Sequence, residues 1–425
     1  MQSVFIIMLL TALILAMASK PAGAWEQDQF IITAWCPPPP TEKALKAYAA
    51  EGFNLLTSTT LEGLDIAAKH GLRALLGDPL LNPDSLDNPV KKKALAALIK
   101  RVKNHPALEG YYLVDEPGAG AFPGLGRLVA FLRQRDAKHF AYINLFPTYA
   151  NAAQLGVSAD AAARKRVGIP LNFAGVGDHR QTILNYKKHL RDFLDIVKPE
   201  LISYDHYHFL RKSDGAQYFL NLALIKEAAR SAGRPFLNII QASTIEPSWR
   251  LVNKHELRWL VYTTLAYGGR GLSYFLYWGP KSYGGLYQDG ARTPLALDVA
   301  ALNGELKTLG PEIMKLKSSG VYHTGTLPVG TIAVPSTSPV QFAGTGDFVL
   351  GLFATEKQTD AFMLVNRNYK QPSTAHILLR KTCRALQEFD RKSGAWQLYC
   401  PVSPGKPVAI KLEKGDGRLF RMSGK

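Results

Sequence analysis

Gly110-Tyr111-Tyr112-Leu113-Val114-Asp115-Glu116-Pro117 is the stretch from which the rest of the chain can be read. Tyr111 to Val114 is a short apolar run of strand-favouring residues, and it drives straight into two adjacent carboxylates and a proline. Proline has no N–H to continue a ladder, and it holds the preceding residue extended. Glu116 is therefore presented at the C-terminal end of a buried strand, where a turn begins. In a barrel of parallel strands that end is the active face. Capping of the next helix by Asp115 and Glu116 is the plain alternative, so the flanking sequence has to decide.

Working outward, strand and helix alternate. Strands are predicted over Phe30 to Cys36, Phe53 to Thr57 and Leu72 to Leu76 upstream. Downstream they cover His139 to Leu145, Leu201 to Tyr207, Pro235 to Ala242 and Gly271 to Trp278. Helices fall between them, for example Thr41 to Gly52, Val90 to Lys103, Thr182 to Val197, Lys254 to Tyr267 and Asp298 to Lys317. Eight such units of about 35 residues make a (β/α)8 TIM barrel the economical solution. A doubly wound sheet would carry a Gly-rich phosphate turn, and Gly118-x-Gly120 has Pro123 where the third glycine belongs. The loop 148–180 is too long for a plain connector and is a candidate for substrate contacts.

From about Ser319 the pattern changes to short β-branched and aromatic runs separated by turns such as Gly344-Thr345-Gly346-Asp347 and Gly415-Asp416-Gly417. That predicts a small all-β sandwich. The expected division is a signal peptide over 1–24, an α/β barrel over 25–318 and the sandwich over 319–425. The signal rests on the apolar run Val4 to Met17 followed by Ala22-Gly23-Ala24, which suits peptidase cleavage. The expected location is therefore secreted or periplasmic, with no stable membrane insertion after cleavage. Export permits disulfides, and Cys383 and Cys400 flank a predicted hairpin turn, so a bond between them is expected. Cys36 is expected to remain a buried thiol.

The formal charge is +17, and residues 319–425 hold 14 Lys and Arg against 7 Asp and Glu. A field of that sign suits anionic polymers or an anionic cell envelope, with a generally solvated basic surface as the alternative. Nucleic acid is not expected, because no basic block is interleaved with stacking aromatics.

A barrel whose fourth strand ends in Glu-Pro, whose eighth ends in Trp and which hands over to a β-sandwich resembles clan A glycoside hydrolases. Asp289-Gly290-Ala291-Arg292-Thr293-Pro294, leading into Leu302-Asn303-Gly304-Glu305-Leu306, is similar to the last barrel helix of family 42-like members. So is the closing Gly415-Asp416-Gly417-Arg418-Leu419-Phe420. The resemblance implies that Glu116 is the acid/base glutamate, with Asp115 in place of the family's asparagine, and that Trp278 is an aromatic platform. It also implies a nucleophilic glutamate at the end of the seventh strand, where this chain has Gln241.

Glycoside cleavage needs one carboxylic acid to protonate the leaving oxygen and one carboxylate to attack or to activate water. Glu116 is the expected acid and Asp205 the expected second carboxylate, with Glu246 as its rival. Contacts to a carbohydrate substrate are expected from Trp35, Asp115, Asn144, His206, Tyr207, Gln241, Glu246 and Trp278, with Trp249 also suited to stacking. Two strands of separation favour a wide gap between Glu116 and Asp205. Asp205, His206 and His208 do not make a metal site, because alternate strand residues face opposite ways, and neither metal nor other cofactor is expected. Three readings stay open: a hydrolase of a poly- or oligosaccharide, a non-catalytic carbohydrate-binding protein on a degenerate hydrolase scaffold, and a lyase using Tyr207 and His206.

Overall fold

A computed structural model describes residues 24–157, 174–175, 177–354 and 359–424. The expected signal peptide falls on residues outside these, apart from Ala24, and so does the middle of the 148–180 loop. Eight parallel strands close into a barrel. They are β1 (Ile31–Ala34), β2 (Leu55–Thr59), β3 (Arg73–Leu76), β4 (Leu108–Asp115), β5 (Phe140–Leu145), β6 (Ile202–His206), β7 (Phe236–Gln241) and β8 (Gly271–Phe275). Around them run α1 (Glu42–Ala50), α2 (Leu61–Lys69), α3 (Pro89–Val102), α4 (Phe122–Arg135), α5 (Arg180–Asp192), α6 (Tyr218–Ala232), α7 (Lys254–Ala266) and α8 (Pro294–Lys315). The helices start where the sequence supplies caps: Thr41, Thr60 and Asn88 each accept a first-turn N–H, and Asn253 forms a reciprocal capping box with Glu256.

Period-two alternation sorts each strand into two faces. Ile31, Leu75, Tyr142, Leu237 and Ile239 point into the barrel, whereas Ile32, Ala74, Ile143, Tyr204 and Ile240 pack outward under the helices. β4 departs from this. Its register with β5 slips between Tyr112 and Val114, so Leu113 and Val114 both pack against the outer core. The bulge restores an inward direction to Asp115, opposite Asn144. Glu116 then adopts a left-handed backbone, φ 45°, a conformation that costs a non-glycine residue energy and clusters at functional sites.

Three short strands follow the barrel and form a small sheet in the order β11-β10-β9: β9 (Trp278–Gly279), β10 (Tyr287–Gln288) and β11 (Ala291–Arg292). The sandwich begins at Lys317, with β12 (Lys317–His323), β13 (Val340–Phe342), β14 (Phe348–Ala354), β15 (Thr359–Asn366), β16 (Ser373–Leu379), β17 (Ala385–Asp390), β18 (Ala395–Pro401), β19 (Val408–Leu412) and β20 (Gly417–Ser423). One sheet has the order β12-β14-β15-β20-β17-β18 and the other β13-β16-β19. The fold is thus a TIM barrel followed by a β-sandwich, as the sequence implies. β12 and β13 were not legible as strands. Among the described residues no helix is long and apolar enough to cross a membrane.

The sandwich docks on α7, whose buried residues run without a break from Glu256 to Ala266 apart from Arg258. Backbone approach needs glycine: a Cβ on Gly417 would lie 2.6 Å from Tyr262 Cβ. Met363, Val365 and Leu419 join the same apolar core as Trp259 and Tyr262. An ion cluster closes the seam. Arg258 donates to Glu305 at 2.7 Å and to Asp416 at 2.6 Å, and Arg391 donates to Asp416 at 2.9 Å.

The expected Cys383–Cys400 disulfide is not formed. Both are free thiols, and Leu386 rather than Cys383 stands opposite Cys400 across the hairpin. Cys383 lies before β17 begins, and its Sγ donates to the Ala385 carbonyl at 3.3 Å. Cys36 is exposed rather than buried, because the chain turns at φ 50° on leaving β1.

Burial pushes the Asp416 carboxyl up, but the Arg391 and Arg258 guanidinia outweigh it and hold it below the ordinary 3.8. Its contribution is therefore present above that value and lost as pH falls through the lowered one. Asp416→Asn is expected to cost about 3 kcal/mol at neutral pH by leaving buried guanidinium charge uncompensated. Urea unfolding at a series of pH values should show the gap to wild type closing under strongly acidic conditions.

Candidate active site

At the C-terminal rim of the barrel a cavity of about 310 Å³ opens among Trp35, Asp115, Glu116, Asn144, Asp205 and Tyr207. Trp35, Asn144, Asp205 and Tyr207 arrive by the alternation just described, and Asp115 and Glu116 by the β4 bulge and the left-handed turn. Trp35 follows inward Thr33, Asn144 follows inward Tyr142, and Asp205 follows inward Ser203. Asn144 organises the acids. Its Nδ2 donates to Asp115 Oδ1 at 3.0 Å and to Asp205 Oδ1 at 2.9 Å, bridging β4 and β6. Its own Oδ1 accepts from Ser203 Oγ at 3.0 Å, and Ser203 lies 2.9 Å from the Tyr142 hydroxyl. The amide orientation is thereby fixed, and with it both carboxyl groups.

Glu116 and Asp205 are hydrogen-bonded to each other through their side chains. The wide gap expected from a separation of two strands around the barrel is therefore not present. The left-handed turn at Glu116 brings its side chain in over Asn144, onto Asp205. Two carboxyls in contact cannot both ionise cheaply. Burial, then the charge of Asp115, raises Glu116 to about 7. Burial, then Glu116, raises Asp205 well above the ordinary aspartate value. The pair titrates as a unit and holds a proton at neutral pH.

Aromatic rings wall the cleft. Tyr207 packs on Trp249 with centroids 4.0 Å apart and on Phe275 at 5.1 Å, and Trp35 meets Tyr112 edge-on at 5.9 Å. Phe146, Tyr149 and Gln154 also line it. Phe146 and Phe275 were missed in the sequence, although counting in twos from Asn144 and Ser273 would have found them. Tyr149 and Gln154 come from the long loop that the sequence marks as a contact segment, where no periodicity singles out individual residues.

Four expected substrate contacts lie elsewhere. His206 follows inward Asp205 and so faces outward, where its Nδ1 lies 2.9 Å from Asn221 Oδ1; burial pushes its pKa down to about 3. Gln241 is on the inward face but is covered. Its Oε1 accepts from Phe209 N at 2.8 Å, and its Nε2 donates to the carbonyls of Phe209 at 3.0 Å and Arg250 at 2.8 Å. The amide latches the loop after β6 and leaves nothing for a ligand. Glu246 is exposed and ion-paired with Arg211. Trp278 belongs to β9 and stacks on Tyr287 at 5.8 Å, beyond the cavity lining, and Phe275 is the ring that the end of β8 supplies.

Because Asp205 binds its proton more tightly when folded, wild type loses stability as pH rises from the ordinary aspartate value of 3.8 through the raised one. The amide of an Asp205→Asn variant copies the protonated group and escapes that loss. Its thermal midpoint should exceed that of wild type at neutral pH and converge with it in acid. A variant less stable than wild type at neutral pH would contradict the electrostatic account.

No protein-family model and no curated protein matches this chain. Solved structures do. A glycoside hydrolase family 5 protein from Bacteroides vulgatus is 12% identical with a TM-score of 0.56, over 95% of this chain and 92% of that one. A second structure, described only as a glycoside hydrolase, is 13% identical with a TM-score of 0.55 over 93% of each chain. A beta-galactosidase from Marinomonas ef1 aligns at 12% identity and a TM-score of 0.47 over 68% of this chain, which spans 62% of its length. At these identities the first two likenesses establish a shared fold, barrel and sandwich together.

Proposed function

We propose that this chain is a glycoside hydrolase acting on a poly- or oligosaccharide, with Glu116 as proton donor and Asp205 as the second carboxylate. The observation that carries the reading is the Glu116–Asp205 carboxyl pair, bridged to Asp115 by Asn144, at the active rim of the barrel in a cleft walled by aromatic rings. A general acid works best when its pKa sits near the operating pH, and a value of about 7 meets that condition. Flat aromatic walls suit the apolar faces of sugar rings. The names of the two full-length structural neighbours point the same way.

In the free protein a side-chain hydrogen bond joins the two carboxyls, whereas retaining enzymes hold theirs about 5–5.5 Å and inverting enzymes about 6.5–9.5 Å apart. In the proposed mechanism the substrate replaces the Glu116–Asp205 hydrogen bond with its own. The glycosidic oxygen takes the Glu116 proton as its bond to the anomeric carbon breaks. Asp205, whose proton passes to Glu116 as the pair separates, is then ionised; it faces the developing positive charge and either attacks it or takes a proton from the attacking water. Asp115, held by Asn144, is left to accept from a sugar hydroxyl. Export from the cytoplasm and a preference for anionic sugars belong to the same proposal, supported by the Val4 to Met17 run and the charge of +17.

One observation favours the second reading, a carbohydrate-binding protein. Gln241 occupies the place of the family's nucleophile and is spent on the loop after β6, so no carboxylate faces Glu116 from β7. The lyase reading is weakened, because His206 points away from the cleft and burial raises the Tyr207 phenol.

Incubation of purified protein with charged and neutral polysaccharides, followed by product sizing, separates these readings. Hydrolysis products are expected. Glu116→Gln should lower turnover about 10²–10⁴-fold on poor leaving groups and far less on activated aryl glycosides. Activity should decline as pH rises through about 7, where Glu116 loses its proton. Sugar binding without turnover by wild type would instead establish the binding protein.

A further inference from the structure

At the end of the barrel opposite the cleft lie two adjoining cavities of about 580 and 400 Å³. Lys226, Arg230 and Tyr267 line both, so the two form one trough running from the starts of the barrel strands to β12. Arg234 and Lys317 add two further cations to the larger cavity. None of these four side chains makes an ion pair or hydrogen bond among the described residues. A fifth cation, Arg270, is already occupied by the carbonyls of Ile313 and Leu316. Of the acids nearby, Glu200 is paired with Arg133 and Glu227 with Lys187, and Glu26 lies at the edge.

Lys226 is the informative member. Burial, then the charge of Arg230, pushes its ammonium down to about 8. An unpaired cation in such a place opposes folding, and a protein that retains one gains from an anion delivered to it. The helix dipole accounts for Arg230, which sits in the last turn of α6, but its effect fades before Lys226, one turn earlier. Lys226 and Arg230 are four residues apart on one face, about 5–6 Å between Cβ atoms, comparable with the advance of one sugar ring.

We propose that this trough is a second binding site, for a carboxylate-bearing oligosaccharide, with Lys226, Arg230 and Arg234 meeting successive uronate groups. The trough is concave, which suits a chain rather than a membrane surface. The rings nearest the cations are already engaged: Trp25 packs on Phe140 at 4.5 Å, and the Tyr267 hydroxyl lies 2.9 Å from His323 Nε2. Nucleic-acid bases would therefore find no free ring to stack on. The inference is independent of the chemistry assigned to the cleft.

The test is calorimetric titration of the full chain with a tetra-uronide, and with a neutral xylo-oligosaccharide of equal length as control. The uronide should bind, more weakly as salt is raised, and the neutral chain should not bind in the trough. Lys226→Met and Arg234→Ala should each weaken uronide binding about tenfold, the scale of a lost charge-assisted hydrogen bond. Glu116→Gln should leave the Lys226- and Arg234-dependent part of the binding unchanged, which separates this site from any uronide held in the cleft. The bound uronide should also slow acylation of the Lys226 amine at mildly alkaline pH, a readout that does not depend on any variant folding. The proposal is overturned by absence of binding, by binding that the trough variants leave intact or Glu116→Gln abolishes, or by an unprotected Lys226. Equal binding of inorganic phosphate or of anionic vesicles would also overturn it, by assigning the trough to a phosphate or a lipid headgroup.

Discussion

One amide decides where the acids of the cleft can be. Asn144 donates to Asp115 and to Asp205 from its place on the strand between theirs, and its own carbonyl is held by Ser203. Without that bridge, three carboxyls in one pocket would repel and disperse toward solvent. With it, Asp205 is pinned beneath Glu116, and the two must share a proton. The raised proton affinity of the pair follows from burial and mutual charge, and it opposes stability at neutral pH. Such a cost is characteristic of functional rather than structural placement.

The rest of the molecule makes that cost tolerable. α7 is buried against barrel and sandwich at once, and Arg258, Arg391, Glu305 and Asp416 neutralise one another across the seam. The two ends of the chain's electrostatics therefore run in opposite directions with pH: the seam needs its carboxylates ionised, and the cleft needs one of its own protonated. Both conditions hold between mild acid and neutrality.

Much of this was legible in the sequence, because barrels are built from repeated units whose apolar runs and caps are local. Position at the strand ends placed Trp35, Asn144, Asp205 and Tyr207 around the cleft, and period-two alternation agrees with it. Alternation would also have excluded His206 from the cleft, had the count been carried one residue past Asp205. Three things were not legible. The bulge at Leu113 and Val114 and the left-handed turn at Glu116 let two consecutive acids face inward, and neither has a signature in residue type. The fate of Gln241 depends on Phe209 and Arg250, groups distant in sequence. The separation of Glu116 and Asp205 was judged from strand count, whereas side-chain direction closed it.

The shared proton is the most exposed part of this account, and it can be read directly. Carbon-13 labelling of the glutamate carboxyls, with Glu116→Gln to assign the signal, gives the Glu116 titration by NMR. The account requires a midpoint near 7, falling when Asp115 is replaced by asparagine. A midpoint at the ordinary glutamate value of 4.5, unchanged by that replacement, would contradict it.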